Sequence, residues 1–161
     1  MKKKKKKTTQ KVVRQLVPRA ALALKNEFYF EAAIILSNLF ESRLKNLITR
    51  VEKVNPGFGF GLDRCIRRVK YLIVRNPGSL IAKYFEIQLI DSLRTWKNHR
   101  NGILKDMLTA HITDNRLKKL AQDGVVLFQE LNAANKQFKK EWKKDLVKGT
   151  PNPPIPDESK E

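Results

Sequence analysis

The segment Leu89–Leu108, LIDSLRTWKNHRNGILKDML, decides the fold expected for this chain. Its apolar residues recur at the three- and four-residue spacing of one helix face: Leu89, Leu93, Trp96, Ile103 and Met107. His99 and Arg100 stand where this apolar stripe should continue. Since a buried guanidinium group is costly without a partner, Arg100 is expected either to find one inside the protein or to face a wet groove.

The sequence on both sides of this segment also predicts helices. The chain has 161 residues with only seven glycines and seven prolines, and it contains no run of alternating β-branched residues. Apolar periodicity predicts a short helix or arm followed by four main helices, at residues 12–24, 26–54, 62–74, 80–110 and 115–146. Short turns rich in asparagine, proline and glycine separate the first three main helices. The expected fold is therefore all-α, an up-and-down bundle of four main helices.

The domain boundaries follow from composition. Residues 1–11 are expected to be a disordered basic tail, because lysine dominates them and apolar residues are scarce. Residues 12–147 are expected to form a single helical domain. The PNPPIP run then predicts a flexible proline-rich tail over residues 148–161.

Positive charge is the strongest compositional signal. The formal net charge is +18, and residues 2–19 carry nine positive charges and no acid. Such a field attracts polyanions, either nucleic acid or an anionic membrane surface, although a solvated tail with no dedicated partner explains the lysine run equally well. In the helices, basic residues are expected to face solvent: Arg43, Lys45, Arg50, Lys53, Lys139, Lys140, Lys143 and Lys144. The last four could still follow a phosphate backbone together with the N-terminal lysines.

Other classes of site receive little support from the sequence. One cysteine and two histidines offer no cluster of metal ligands, and no cofactor is expected. Cys65 lies on an apolar stripe and is expected to be a small buried residue rather than a nucleophile. The longest apolar run, Ala32–Leu36, is far below the ~20 residues needed to cross a bilayer. No membrane association and a cytoplasmic location are therefore expected.

The motif around Arg100 resembles that of HEPN domains, small all-helical modules of prokaryotic toxins, defence systems and RNA-processing enzymes. Their motif is an arginine, usually followed by a polar residue such as asparagine, with a histidine four to six residues after the arginine. Here Arg100-Asn101 is followed by two apolar residues, much as in the family. Glu41 matches the acidic residue that the family often carries in an early helix. The segment LAQDGVVLFQELN is similar to the closing helix of some members.

The chain departs from this motif at the histidine. Lys105 stands where the family has its histidine, counted from Arg100. A second register pairs Arg94 with His99 at the same spacing, but it has threonine where asparagine is usual. The Arg100 register fits the apolar context better, and both registers remain open.

The resemblance implies a function and partners. It implies metal-independent cleavage of RNA, in which a histidine moves the proton and the arginine holds the phosphate. It also implies a toxin–antitoxin or defence role, a homodimer with the motif at its interface, and a cognate antitoxin protein. Because lysine is a poor base at its reference pKa, the alternative is a catalytically inactive module that binds RNA or a protein and regulates it. A purely structural role is open too, in which Arg100 pairs with Glu41 or Asp106.

Overall fold

The computed structural model describes residues 15–57, 59–109 and 114–148. Over these ranges the chain is helical with connecting turns, and it contains no strand, so the all-α class is confirmed. The tails predicted at residues 1–11 and 148–161 lie outside the described residues, except for residue 148 itself.

Six helices form this described part of the chain. Residues 15–25 are helical and are named α1. The others are α2 (Tyr29–Glu52), α3 (Leu62–Arg75), α4 (Leu80–Tyr84), α5 (Ile87–Thr109) and α6 (Asp114–Lys148). Helix α6 extends two residues further at its C-terminal end than the predicted helix at residues 115–146. Helices α2 and α3 begin and end within three residues of their predicted bounds.

The predicted helix at residues 80–110 is wrong in one respect, because it is two helices. The five-residue helix α4 ends at Tyr84, the backbone of Phe85 is extended (φ −113°, ψ 94°), and α5 begins at Ile87. Phe85 is 1% exposed, and its ring lies 5.7 Å from that of Phe138 in α6. Burial of this ring against α6 favours the break. In an uninterrupted helix, the direction of the Phe85 side chain would be fixed by its position in the helix.

The core is centred on α2. One face of this helix is buried from Ala32 to Ile48. Phe40 has no exposed surface, and its ring packs edge-on against Trp96 of α5 at 5.0 Å and against Phe128 of α6 at 5.9 Å. Edge-to-face contacts at these distances are favourable beyond the area that they bury. The predicted burial of Cys65 is confirmed, and Trp96 of the apolar stripe is buried as well.

Contacts between α2 and α6 show that these helices run in the same direction. Leu36 lies against Gly124, and Phe40 lies against Phe128, so the residue numbers rise together along the pair. In a four-helix bundle of strict up-and-down order, the first and last helices would be antiparallel. The predicted up-and-down order is therefore not confirmed.

Helix α5 runs the other way and packs against its three long neighbours. Ion pairs join Lys97 to Asp63 and Lys70 to Asp91, so α3 and α5 are antiparallel. Because α5 is antiparallel to both α2 and α3, these two helices run in the same direction. The linker at residues 53–61, which joins them, makes this possible, because nine residues reach about 30 Å when extended. That reach exceeds the length of α3, about 21 Å for 14 residues. The chain can thus return along the bundle before α3 begins.

The basic residues in and directly after α2 do not all face solvent as predicted. Lys53 is exposed, but Arg43, Lys45 and Arg50 are half-buried. The reason is coverage by neighbouring helices: Arg43 lies over the Phe128 ring of α6, at 5.9 Å from its centroid. Long side chains of this kind bury their aliphatic stems and keep only part of the head group in water.

Candidate functional site

Arg100 lies on α5, one helical turn after the buried Trp96, and reaches across to α2. Its Nη1 donates a hydrogen bond to Ser37 Oγ. Its Nη2 and Nε donate to the side-chain oxygen of Asn101 at 2.8 and 3.3 Å. The guanidinium group is therefore half-buried and held at two points, by a hydroxyl on the neighbouring helix and by the amide that follows it in sequence.

The electrostatic surroundings leave this cation only partly compensated. Burial lowers the pKa of Arg100, and the nearby negative charge of Glu41 acts in the opposite direction. Glu41 itself accepts a hydrogen bond from Lys45 Nζ at 2.7 Å. Within the described ranges, no direct ion pair joins Arg100 to a carboxylate. An arginine has five N–H donors and no acceptor, so Arg100 retains donors for an anion.

Asp106, the second carboxylate considered as a structural partner of Arg100, pairs with another residue. Asp106 pairs with Arg116 of α6 at 2.7 Å, so the purely structural pairing of Arg100 with Asp106 is not seen. The pairing with Glu41 is present only as a charge–charge interaction and not as a hydrogen bond. Arg100 is thus neither at the outer rim nor locked against an acid.

The remaining predicted residues lie around this position rather than in it. Asn101 contacts Arg100 directly, although its side chain is exposed. His99, Arg94 and Lys105 are exposed residues of the same helix. The structure therefore brings Arg100, Asn101 and Glu41 together and leaves the other three on the surface of α5.

Two residues beside Arg100 and Glu41, Ser37 and Lys45, were not predicted as part of the site. Ser37 is 6% exposed and is one of two polar residues in the buried set of the described chain. With Glu41 and Lys45 it forms a polar line at four-residue spacing on α2, which is the spacing of one helix face. That spacing was readable from the sequence and could have identified the side of α2 that meets Arg100.

Helix α3 fixes the position of α5 beside this site. Lys97 Nζ donates to Asp63 Oδ1, and Asp63 also pairs with Arg67 at 2.7 Å. The hydrogen bond from Lys97 lowers the pKa of Asp63.

Burial raises the pKa of the Cys65 thiol to about 12, so this side chain stays protonated at neutral pH and is a poor nucleophile.

Neither a cluster of metal ligands nor a membrane-spanning helix occurs among the described residues. No group of three or more histidine, cysteine, aspartate or glutamate side chains comes together there in a way that could hold a metal ion. Of the helices that the structure describes, none combines the length and the apolar character needed to cross a bilayer.

Comparison with known proteins gave no relative. No protein-family model, no curated protein and no solved structure matches this chain. The family resemblance of the Arg100 motif thus rests on its residues alone.

Proposed function

We propose that this chain is an HEPN-like, RNA-associated protein in which Arg100 binds a backbone phosphate. The observation that supports this most is the state of Arg100: a half-buried cation, oriented by Ser37 and Asn101, with no direct carboxylate partner among the described residues. The net charge of +18 adds a long-range attraction for polyanions.

Phosphate binding follows from the chemistry of the guanidinium group. Arginine presents a planar fork of donors that matches two oxygens of one phosphate. Ser37 and Asn101 engage three of the five N–H groups of Arg100 and fix the guanidinium plane, so the other two N–H groups can bind a phosphate with little loss of conformational freedom. Burial lowers the pKa of Arg100, but an arginine side chain still keeps its positive charge at neutral pH. A partly desolvated donor also interacts more strongly with an anion than a fully hydrated one.

An RNA-binding measurement tests this proposal. Full-length protein is titrated into a labelled single-stranded RNA in the presence of EDTA, at several salt concentrations. We expect the affinity to fall steeply with salt, and Arg100→Ala to weaken binding about tenfold, the equivalent of one charged hydrogen-bonded contact. Lys136→Ala, which removes an equal charge from an exposed position of α6, should weaken binding by less than about twofold.

Three outcomes would count against a phosphate site at Arg100. An affinity that does not change with salt would exclude a polyanion ligand. Equal losses in Arg100→Ala and Lys136→Ala would show that only net charge matters. A larger loss in Arg94→Ala than in Arg100→Ala would instead move the site to the Arg94–His99 register.

A second candidate function is metal-independent cleavage of the bound RNA. In this reaction the 2′-hydroxyl loses its proton and attacks the adjacent phosphorus, while the bond to the 5′-oxygen breaks and that oxygen takes up a proton. Arg100 would stabilise the charge that develops on the phosphoryl oxygens. The feature that favours this function is the Arg100-Asn101 pair of the family motif. Lys105 at the histidine position favours binding without turnover instead, so binding is the primary proposal.

The biological setting is also part of the proposal. The family resemblance favours a cytoplasmic toxin–antitoxin or defence protein that acts as a homodimer with the motif at its interface. Light scattering on the full chain tests the dimer, and co-purification with the product of a neighbouring gene tests for an antitoxin.

A further inference from the structure

A second set of cations lies where α2 meets α6, on a different side of α2 from Ser37 and Glu41. Arg43 and Arg50 are seven residues apart, which places them on one face of α2. Arg43 lies over the Phe128 ring of α6, and Lys139 lies eleven residues after Phe128, on the same face of α6. Since α2 and α6 run in the same direction, Lys139 comes level with Arg50. We call Arg43, Arg50 and Lys139 the basic cluster.

The basic cluster has no compensating negative charge in the part of the chain that the structure describes. Arg43 Nε and Arg50 Nη1 are buried, and neither has a hydrogen-bond partner in the structure. Across residues 15–57, 59–109 and 114–148, no carboxylate forms an ion pair with any of the three side chains. Buried polar groups of proteins nearly always have partners, so two unsatisfied guanidinium nitrogens on one face of α2 need an explanation.

The energetics of the cluster point to a ligand rather than to a structural role. Burial lowers the pKa of both arginines. Lys139 has its pKa lowered first by burial and then by the positive charges of Arg50, Arg43 and Lys143. These like charges repel one another in the free protein. Proteins commonly retain such locally destabilising arrangements at sites that serve function.

We propose that the basic cluster binds a phosphate group, held jointly by the two guanidinium groups of α2 and the ammonium group of α6. Each of the three side chains keeps part of its surface exposed, so an anion can approach nitrogens other than the buried Arg43 Nε and Arg50 Nη1. A phosphate carries two or more acceptor oxygens and a charge that offsets the mutual repulsion. The phosphate can be free or part of an RNA backbone, and the chemistry of recognition is the same. This site is separate from Arg100 and does not depend on the proposed function there.

Thermal unfolding of the full-length protein tests the site, with inorganic phosphate as the probe and sodium chloride at equal ionic strength as the reference. At ten times the Kd, phosphate should raise the melting temperature by about 4 °C. Lys139→Met removes the charge and keeps most of the stem. Without phosphate, this variant should melt at the same temperature as the wild type or higher, because repulsion is relieved. With phosphate, its affinity should fall about tenfold.

Lys136→Met is the matched control, since Lys136 is exposed on the same helix and outside the cluster. It should respond to phosphate like the wild type. The same variants are then compared for binding a short single-stranded RNA. A loss of affinity for both probes assigns the site to phosphate in either form, and a loss for inorganic phosphate alone assigns it to a free phosphorylated ligand.

The proposal fails if phosphate stabilises Lys139→Met as much as the wild type. It also fails if Lys139→Met melts clearly lower without phosphate, which would show that the lysine is a structural residue. Arg50→Met provides an independent second variant with the same expected pattern. Neither result depends on how Arg100→Ala behaves, so failure here is distinguishable from failure at the Arg100 site.

Discussion

Replacing Gly124 by alanine is expected to lower the free energy of unfolding by about 2 kcal/mol. A Cβ at this position would lie 2.9 Å from Trp96 Nε1 and 3.0 Å from both Trp96 Cε2 and Leu36 Cδ1. Trp96 has little freedom to move, because its Nε1 donates to Leu120 O at 2.8 Å and its ring packs against Phe40. Overpacking of this kind costs about 3 kcal/mol, and the better helix propensity of alanine returns about 1 kcal/mol.

The matched control is Gly102→Ala. Gly102 is also helical, but it is exposed, and a Cβ added there would meet no atom within 4 Å apart from its two chain neighbours and the backbone of its own helix. Here only the helix propensity acts, so we expect a gain of up to about 1 kcal/mol. Relative to the wild type, the melting temperature should shift by about −6 °C in the Gly124 variant and by about +3 °C in the Gly102 variant. A stabilised Gly124→Ala variant would contradict the close contact between α5 and α6.

Apolar periodicity predicted the existence of the main helices well because their core faces are long and regular. It could not predict the break between α4 and α5. The residues at the break, Phe85 and Glu86, include neither glycine nor proline, so no local signal ends the helix. The cause is tertiary, namely the packing of Phe85 against Phe138. The relative directions of the helices could not be predicted either, since the turn sequences do not show whether a linker reverses the chain or runs back along the bundle.

The candidate site shows the same division. Arg100 stood out in the sequence because it interrupts an apolar stripe, and its half-buried position follows from that interruption. Ser37 could have been found from the sequence, since its four-residue spacing from Glu41 and Lys45 marks one face of α2. Arg43 and Arg50 were expected to face outward, since polar residues between apolar ones usually do. Periodicity gives the side of a helix on which a residue lies, but not which neighbour covers that side.

A Lys105→His variant is expected to cleave RNA at least about 100-fold faster than the wild type in the presence of EDTA. General acid–base catalysis by a positioned side chain contributes about 10²- to 10⁴-fold, and it is most effective when the pKa is near the working pH. The reference pKa of histidine is about 6.5, whereas that of lysine is about 10.4. The substitution restores the histidine of the family motif five residues after Arg100, on an exposed position of α5 that tolerates a change of side chain.

Two companion variants isolate the cause of any gain. Lys105→Gln removes the positive charge without supplying a proton carrier, so it should stay as slow as the wild type. The double variant Lys105→His with Arg100→Ala should lose the gain, because the proton carrier then acts without the group that holds the phosphate. Cleavage by Lys105→His should also depend on pH through a group that titrates near neutrality.

The result decides between the two proposed functions. A cleaving Lys105→His variant would mean that the groove around Arg100 is competent and that the lysine alone keeps the natural chain slow. A folded Lys105→His variant that binds RNA and leaves it intact would mean that the fold lacks a cleavage geometry around α5. In that case Arg100, Ser37 and Asn101 serve binding only, and the protein acts by holding RNA rather than by cutting it.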